Sequence, residues 1–414
     1  MSKQCCVVIG ASHAGVSLAL QLRKEGWEGD IQLIGAESEL PYHRPPLSKD
    51  LLSGEKNMEA IRLRPHKVFD DNAIELVLGV TALDVDPDAQ TVQLSNGKRV
   101  EYSKLVFCTG ANVNKLPMGQ GLERLFYIRT AADVKQLQAV LPTAKSAAVI
   151  GGGYIGLEAA AVLRKLGLQV TVLEMADRVL ARVTSRVMSE YMTSLHMMHG
   201  VEIRTRAHVT SLQEIVDENG NKGVSIGCND GRELQVDLVV VGVGVTPSTA
   251  LAEAAGLEVS NGIVVDSSGK TSRDNIYAAG DCCSHPSQLY DRMMRLESVQ
   301  NANDQARVVA ANICGKPTEY KAVPWFWSDQ YDAKLQMVGI SEGYDKVVVR
   351  GDASNHEDGF ALFYYKDGVV IAADCVKRPK EFMASKQLVM NRSAIGPEKL
   401  QDESVEPSNW LQSA

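Results

Sequence analysis

Apolar runs that stop at a glycine, each followed by a helical period, set the rhythm of this chain. Residues 5–9 are apolar and end at Gly10; residues 148–150 do the same at Gly151. Behind each turn the apolar positions recur at helical spacing, to about Lys24 in the first case and over residues 155–166 in the second. A second apolar run follows each helix, residues 31–34 ahead of Glu37 and residues 170–173 ahead of Glu174. The two stretches superpose without a gap from Gly10 and Gly151 to Gly26 and Gly167, with Leu22-Arg23-Lys24 on Leu163-Arg164-Lys165. The pattern predicts a duplicated strand–turn–helix–strand unit.

Elsewhere the period changes. Residues 75–107 alternate apolar and polar around turns at Asp86-Pro87-Asp88 and Ser95-Asn96-Gly97, which predicts short antiparallel strands. Thr130 is placed to cap a helix running to Val140. Residues 184–198 read as a helix carrying His196, with His199 three positions on; no carboxylates or thiols nearby complete a metal site, so both are expected as exposed helix residues. Residues 238–247 read as a buried parallel strand entering a turn. From about Val323 the composition shifts to Trp325-Phe326-Trp327 and alternating strands at 335–338, Lys346–Arg350, 361–365 and 369–372. The fold class expected is α/β, with two Rossmann-like dinucleotide-binding domains and a C-terminal α+β domain.

The glycine turns carry the chemistry. Gly151, Gly153 and Gly156 match G-x-G-x-x-G between a strand and a helix. The first glycine permits the sharp turn, the second lets backbone approach a pyrophosphate, and the third lets helix pack on strand. The helix start then offers free N–H groups and its positive dipole end to phosphate. Glu174 at the next strand tip is placed for a ribose 2′-hydroxyl and repels a 2′-phosphate, so NAD is expected rather than NADP. In the first loop Ser12 replaces the second glycine, and Glu37 is the matching acid. FAD is the natural second dinucleotide, since a flavin can take two electrons as hydride and release them singly. Between Pro41 and Lys49 a proline-stiffened loop brings Arg44 and Lys49 close to the first site, and Asp281 follows an apolar run and a glycine where a carboxylate can take ligand hydroxyls.

Composition narrows the choice. The 414 residues carry a net charge of −8, against a general nucleic-acid or membrane-surface binder. No apolar run approaches the ~18 residues of a membrane span, and no signal-peptide pattern precedes Cys5, so a cytoplasmic protein is expected. The eight cysteines lack the short spacing of a disulfide framework. Cys5, Cys6 and Cys108 lie in apolar runs and are expected as buried core residues, and Cys282-Cys283 are adjacent rather than spaced C-x-x-C. No cysteine stands between Glu37 and Lys49, which argues against thiol-based disulfide, peroxide or oxygen reduction.

These motifs together resemble one family, the NADH-dependent FAD reductases of 2Fe–2S ferredoxins that feed bacterial oxygenases. The resemblance runs end to end. It rests on the first glycine loop, Arg44-Pro45-Pro46-Leu47-Ser48-Lys49, Thr109-Gly110, the stretch from Gly151 to Glu158, and that from Gly242 to Pro247. Ala278-Ala279-Gly280-Asp281, Glu297-Ser298-Val299 and Trp325-Phe326-Trp327-Ser328-Asp329-Gln330 extend it. It implies FAD on Gly10, Ala14, Gly15, Glu37, Arg44, Lys49, Arg129, Asp281 and Val299, and NADH on Gly151, Gly153, Ile155, Gly156, Glu174 and Gly244. Lys49 and Glu158 look like the pair beside the hydride-accepting nitrogen, with Trp327 at the flavin ring. A well-matched member carries its first ribose acid one place earlier, where this chain has Ala36, so Glu37 must substitute. The implied domains are FAD-binding at 1–112 and 246–320, NAD-binding at 113–245 and C-terminal at 321–414, with no metal. A ferredoxin is usually acidic, like this chain, so docking calls for a local basic face; Arg307, Lys377, Arg378 and Lys380 are the candidates. The rival readings are reduction of a rubredoxin, of a quinone or ascorbate radical, and a non-enzymatic NADH-sensing interaction protein.

Overall fold

The computed structural model describes residues 4–218 and 220–411, and the chain divides into two compact units. The first comprises the residues up to His43 together with Met58–Asn112 and Val245–Pro324. The second comprises Arg44–Asn57, Val113–Gly244 and the chain from Trp325 onward.

In the first unit the strands Ile276–Ala278, Lys104–Phe107, Cys5–Ile9, Asp30–Gly35 and Ile74–Leu78 form, in that order, a five-stranded parallel sheet. Cys6, Val7, Val8, Leu105, Val106 and Phe107 are completely buried, as befits a parallel sheet covered on both faces. The helices His13–Glu25 and Val299–Ile313 share one core through Leu18, Leu22, Ala306, Val309 and Ala310. The expected run of antiparallel strands over 75–107 is only partly found. Ala82–Asp86, Thr91–Leu94 and Arg99–Glu101 do form an antiparallel sheet. Ile74–Leu78 and Lys104–Phe107 instead join the parallel sheet, because side-chain alternation reports which face is buried and not which neighbour the strand takes.

The second unit repeats the arrangement. Val201–Arg204, Gln169–Leu173, Ser146–Ile150, Leu238–Val241 and Leu125–Tyr127 form a second five-stranded parallel sheet, whose edge strand Leu125–Tyr127 precedes the others in sequence where Ile276–Ala278 follows them in the first, and Tyr154–Lys165 is its glycine-loop helix. A three-stranded antiparallel sheet over Val209–Val216, Lys222–Cys228 and Glu233–Val236 belongs to the same unit. From Trp325 a five-stranded antiparallel sheet runs in the order Trp325–Gln330, Ala333–Gly339, Val369–Val376, Phe360–Lys366, Lys346–Arg350. The helix Pro379–Met390 follows it. Two sheets of parallel strands and a C-terminal α+β portion are the architecture the apolar pattern predicts. Among the described residues no helix is long and apolar enough to cross a membrane.

His196 departs from expectation. It is fully buried on the helix Arg186–Met198, its Nε2 2.8 Å from Gln330 Oε1, while His199 stays exposed and stacks on Tyr331. The helix turns His196 toward the Trp325–Gln330 strand, a neighbour that lies 134 residues away in sequence. No group of residues able to hold a metal ion occurs among the described residues.

Burial pulls His196 down to about 4, and His285 in the first unit likewise to about 4. The unfolded chain takes up these protons near 6.5, so the stability held above that pH is lost as pH falls toward 4, by roughly 3 kcal/mol per histidine. Asp374, pushed up to about 6 by burial, opposes this, since its folded form binds the proton first between about 3.8 and 6. The urea midpoint of unfolding is therefore expected to fall from pH 7 to pH 5. The fall is expected to be shallower in His285→Asn and steeper in Asp374→Asn.

Candidate functional site

The second unit holds the better-defined nucleotide cradle. Gly151 has φ +107°, and a Cβ there would lie 2.4 Å from the Gly242 carbonyl oxygen. A Cβ on Gly156 would lie 2.1 Å from the Gly151 carbonyl oxygen, so the helix reaches the strand only because this residue is glycine. At Gly153 an added Cβ meets nothing within 4 Å, and no side chain caps the helix that begins at Tyr154. Its first N–H groups are therefore available to a pyrophosphate over an open surface. Ile155 stands 45% exposed on the first turn. Glu174 is fixed at the rim: Oε2 accepts from Gly152 N at 2.6 Å and Oε1 from Ala176 N at 2.7 Å. Gly244, at φ +93°, accepts a hydrogen bond from Asn114 N at 3.0 Å through its carbonyl. Arg178 and Arg204 follow the strand tips but are engaged within the protein, Arg178 by Ser189 Oγ at 2.5 Å and Arg204 by Glu202 at 2.8 Å. The residues present fit a dinucleotide with a free ribose 2′-hydroxyl.

Two of the three catalytic candidates, Lys49 and Glu158, meet as an ion pair. The turn Pro45–Ser48, with prolines at its start, delivers Lys49, whose Nζ lies 2.7 Å from Glu158 Oε2. Glu158 projects from the buried face of the glycine-loop helix and is 5% exposed. Ser48 Oγ donates to Oε2 at 2.5 Å and Ser328 Oγ to Oε1 at 2.6 Å. Trp327 alternates with Ser328 on the strand Trp325–Gln330 and is half-buried, its ring 5.8 Å from that of Trp325. Arg44 Nη1 donates to the Arg129 carbonyl at 2.7 Å, and behind Arg129 the expected N-cap Thr130 forms a capping box with Asp133. Ser48 and Ser328 stand inside the motifs that carry the resemblance, but nothing local marks them as partners of Glu158. The alternation of Trp327, Ser328, Asp329 and Gln330 is the one available signal: a serine and a glutamine on the buried face of a strand call for a polar partner.

The first unit holds the other set. Gly10, at φ +115°, turns where a Cβ would lie 2.0 Å from the Cys108 carbonyl oxygen, and a Cβ on Gly15 would lie 1.9 Å from the Gly10 carbonyl oxygen. Ser12 occupies the N-cap of His13–Glu25, yet its side chain does not cap the helix. Gly280, just ahead of Asp281, approaches Ala14 so closely that a Cβ would sit 3.1 Å from the alanine Cβ, and its N–H donates to Gln305 Oε1 at 2.7 Å. Ala14, Gly15 and the Asp281 loop thus share one corner. Glu37 accepts a hydrogen bond from the Tyr42 hydroxyl, and Val299 opens the helix that Ser298 caps through Asn301 N. This cradle also fits a dinucleotide, with the Ser12 side chain as its one departure from the glycine pattern.

All eight cysteines are free. Cys6, Cys108, Cys282, Cys283 and Cys375 are buried, and burial pushes each of these thiols up. Cys5 is only partly buried, short of the core placement expected.

The expected basic docking face is not a net positive charge. Lys377 pairs with Asp332 at 2.6 Å, Arg378 with Glu403 at 2.8 Å and Glu381 at 3.4 Å, and Lys380 with Glu406 at 3.2 Å. Arg307, in the first unit, pairs with Asp304 at 2.7 Å. The carboxylates that neutralise Lys377, Arg378 and Lys380 come from outside the run of basic residues, up to 45 residues away in sequence, so the run looks more cationic than the folded surface is.

The pyridine nucleotide-disulphide oxidoreductase family model matches residues 5–306, and the reductase C-terminal model matches residues 325–409. The chain is 44% identical over 394 residues to a ferredoxin–NAD(P)+ reductase of a Sphingomonas species, covering 94% of each. It is 43% identical to the putidaredoxin reductase of Pseudomonas putida, covering 96% of this chain and 94% of the relative. The crystal structure of a covalent putidaredoxin reductase–putidaredoxin complex superposes with a TM-score of 0.94 at 42% identity, covering 99% of each chain.

Proposed function

Because the chain belongs to the pyridine nucleotide-disulphide oxidoreductases, in the branch that carries the reductase C-terminal region, we propose that it takes hydride from NADH and passes single electrons to a 2Fe–2S ferredoxin serving a bacterial oxygenase. The observation that carries this reading is the ion pair of Lys49 with the buried Glu158, seated under the NADH cradle's own helix in a chain with no cysteine between Glu37 and Lys49. Bound FAD supplies the exchange between two-electron and one-electron chemistry.

The protein's task is then positioning and electrostatics. Gly151, Gly153, Ile155, Gly156, Glu174 and Gly244 hold NADH, and Gly10, Ala14, Gly15, Glu37, Asp281 and Val299 hold FAD. Arg44 and Arg129 add cationic contacts to the bound nucleotides. Glu158 holds Lys49 in place, and Lys49 holds positive charge where negative charge develops. Trp327 presents an aromatic face from the C-terminal sheet. We assign residues 1–112 and 246–320 to FAD, 113–245 to NAD and 321–414 to the C-terminal domain. A cytoplasmic setting suits eight free cysteines.

The purified protein is expected to be yellow and to bleach with NADH under anaerobic conditions. In steady state a 2Fe–2S ferredoxin is expected to be reduced with a kcat/KM at least roughly tenfold above that for a rubredoxin, a quinone or ascorbate radical, the margin of one well-placed docking contact. Equal turnover with rubredoxin or quinone would reject the ferredoxin assignment. Slow bleaching that leaves a long-lived charge-transfer band would favour an NADH sensor instead.

A further inference from the structure

We infer that Ser328 and Gln330, on the first strand of the C-terminal sheet, are positioning residues that set the orientation of Glu158 and through it the place of Lys49. The inference rests on the proposed hydride transfer beside Lys49 and adds to it a line of buried side chains that reaches His196. Ser328 Oγ donates to Glu158 Oε1 at 2.6 Å, Gln330 Nε2 donates to Ser328 Oγ at 3.1 Å, and Gln330 Oε1 lies 2.8 Å from His196 Nε2. Ser328 and His196 are completely buried and Gln330 is 1% exposed. Burying so many polar groups is unfavourable unless each is satisfied, so apolar residues would serve the sheet better if packing were all that mattered.

The direction of the line is determined by its end. Glu158 is a carboxylate paired with a lysine, so every neighbour must donate to it. Ser328 therefore spends its one proton on Oε1 and accepts from the Gln330 amide. That orientation turns Gln330 Oε1 toward His196, whose Nε2 must then carry the proton. Burial, which keeps the His196 imidazole neutral to about 4, agrees with a single proton on that ring. The reversed amide would take the serine proton away from Glu158.

The two carboxylate oxygens divide the work. Lys49 and Ser48 both donate to Oε2, and Ser328 donates to Oε1. With Oε1 pinned, the carboxylate plane cannot rotate, and Oε2 stays aimed at the ammonium. Strand alternation places Trp327 on the opposite face from Ser328, so one short segment carries both the aromatic ring and the anchor of the charge pair.

The test uses the flavin-loaded protein labelled with 15N-lysine, the Lys49 ammonium signal being assigned by its loss in Lys49→Met. Ser328→Ala is expected to speed exchange of the Lys49 ammonium protons with water by roughly tenfold, the worth of one hydrogen bond to a charged group. It is also expected to slow anaerobic flavin reduction by NADH by roughly tenfold without altering the dissociation constant for NADH. Gln330→Met, which leaves the serine in place but removes its donor, is expected to move both in the same direction by less, and it carries the comparison should Ser328→Ala fail to fold. Asp329→Ala, on the exposed face of the same strand, is expected to change neither. Unaltered Lys49 exchange in the folded variants overturns the inference, as does faster exchange with no change in flavin reduction, or an equal effect from Asp329→Ala. Failure of NADH to reduce the flavin in the unsubstituted protein rejects the functional reading, while the exchange data report the hydrogen-bond line separately.

Discussion

Lys49→Met is expected to slow reduction of the bound flavin by NADH by about a hundredfold or more, a magnitude typical of removing one preorganised charge from a water-poor site. Methionine keeps the length and the apolar stem of lysine and removes only the charge. Glu158, 5% exposed, is then stranded among Ser48 and Ser328 without its counter-ion. Leaving a buried charge unpaired in this way costs about 3–5 kcal/mol. A loss of rate could therefore come from missing charge or from a loosened fold, and a second variant separates the two. Lys49→Met combined with Glu158→Gln removes the stranded charge along with its partner. The pair is expected to recover most of the stability but little of the rate, so the two substitutions are non-additive in stability. Anaerobic stopped-flow absorbance reads the rate, and flavin released on dilution reads retention. If the single substitution merely releases flavin while the remaining holoprotein reacts at the original rate, Lys49 holds the cofactor and has no part in the transfer.

Glu174→Ala carries the second large effect. Its carboxylate accepts from Gly152 N and Ala176 N, so the side chain braces the glycine turn, and in the proposed NADH cradle it faces the ribose 2′-position. Alanine removes the acceptor for a 2′-hydroxyl and the repulsion of a 2′-phosphate together. The kcat/KM for NADH is expected to fall by about tenfold to a hundredfold, the loss of a charged hydrogen bond of ~1.5–3 kcal/mol. The value for NADPH is expected to hold or rise, so the ratio between the two changes by more than either. Arg178 and Arg204 are both committed to protein acceptors, which limits how far NADPH can gain. A proportional fall for both coenzymes would mean that Glu174 only supports the turn; an unchanged ratio removes it from coenzyme selection. Glu174→Gln keeps one acceptor oxygen, and a result between the wild type and Glu174→Ala is expected.

How much was legible without coordinates depends on distance along the chain. The close approach of Gly15 to the Gly10 carbonyl and of Gly156 to the Gly151 carbonyl is local: it needs only a strand, a turn and a helix in order. The capping box at Thr130 and Asp133 closes within four residues. Alternation over Lys346–Arg350 and its neighbours predicted the strands of the C-terminal sheet, since the side-chain period follows from the pleat alone. The likeness of the two parallel sheets was visible as repeated sequence, because the same pattern of glycine, helix and acid builds the same neighbourhood twice.

What tertiary structure decided is the set of choices that neither period nor spacing encodes. Ile74–Leu78 and Lys104–Phe107 had the right faces but could not declare their neighbours, and the sheet took them in parallel. His196 looked like a surface residue until Gln330 came to it. The run Lys377-Arg378-Pro379-Lys380 looked basic until Asp332, Glu403 and Glu406 folded against it. Glu158 was visible as a candidate, yet the serines that aim it stand 110 and 170 residues away. Periodicity records what each residue does within its own strand or helix. The direction of a buried hydrogen bond is settled by whichever donor the packing brings close, and packing is a property of the whole chain.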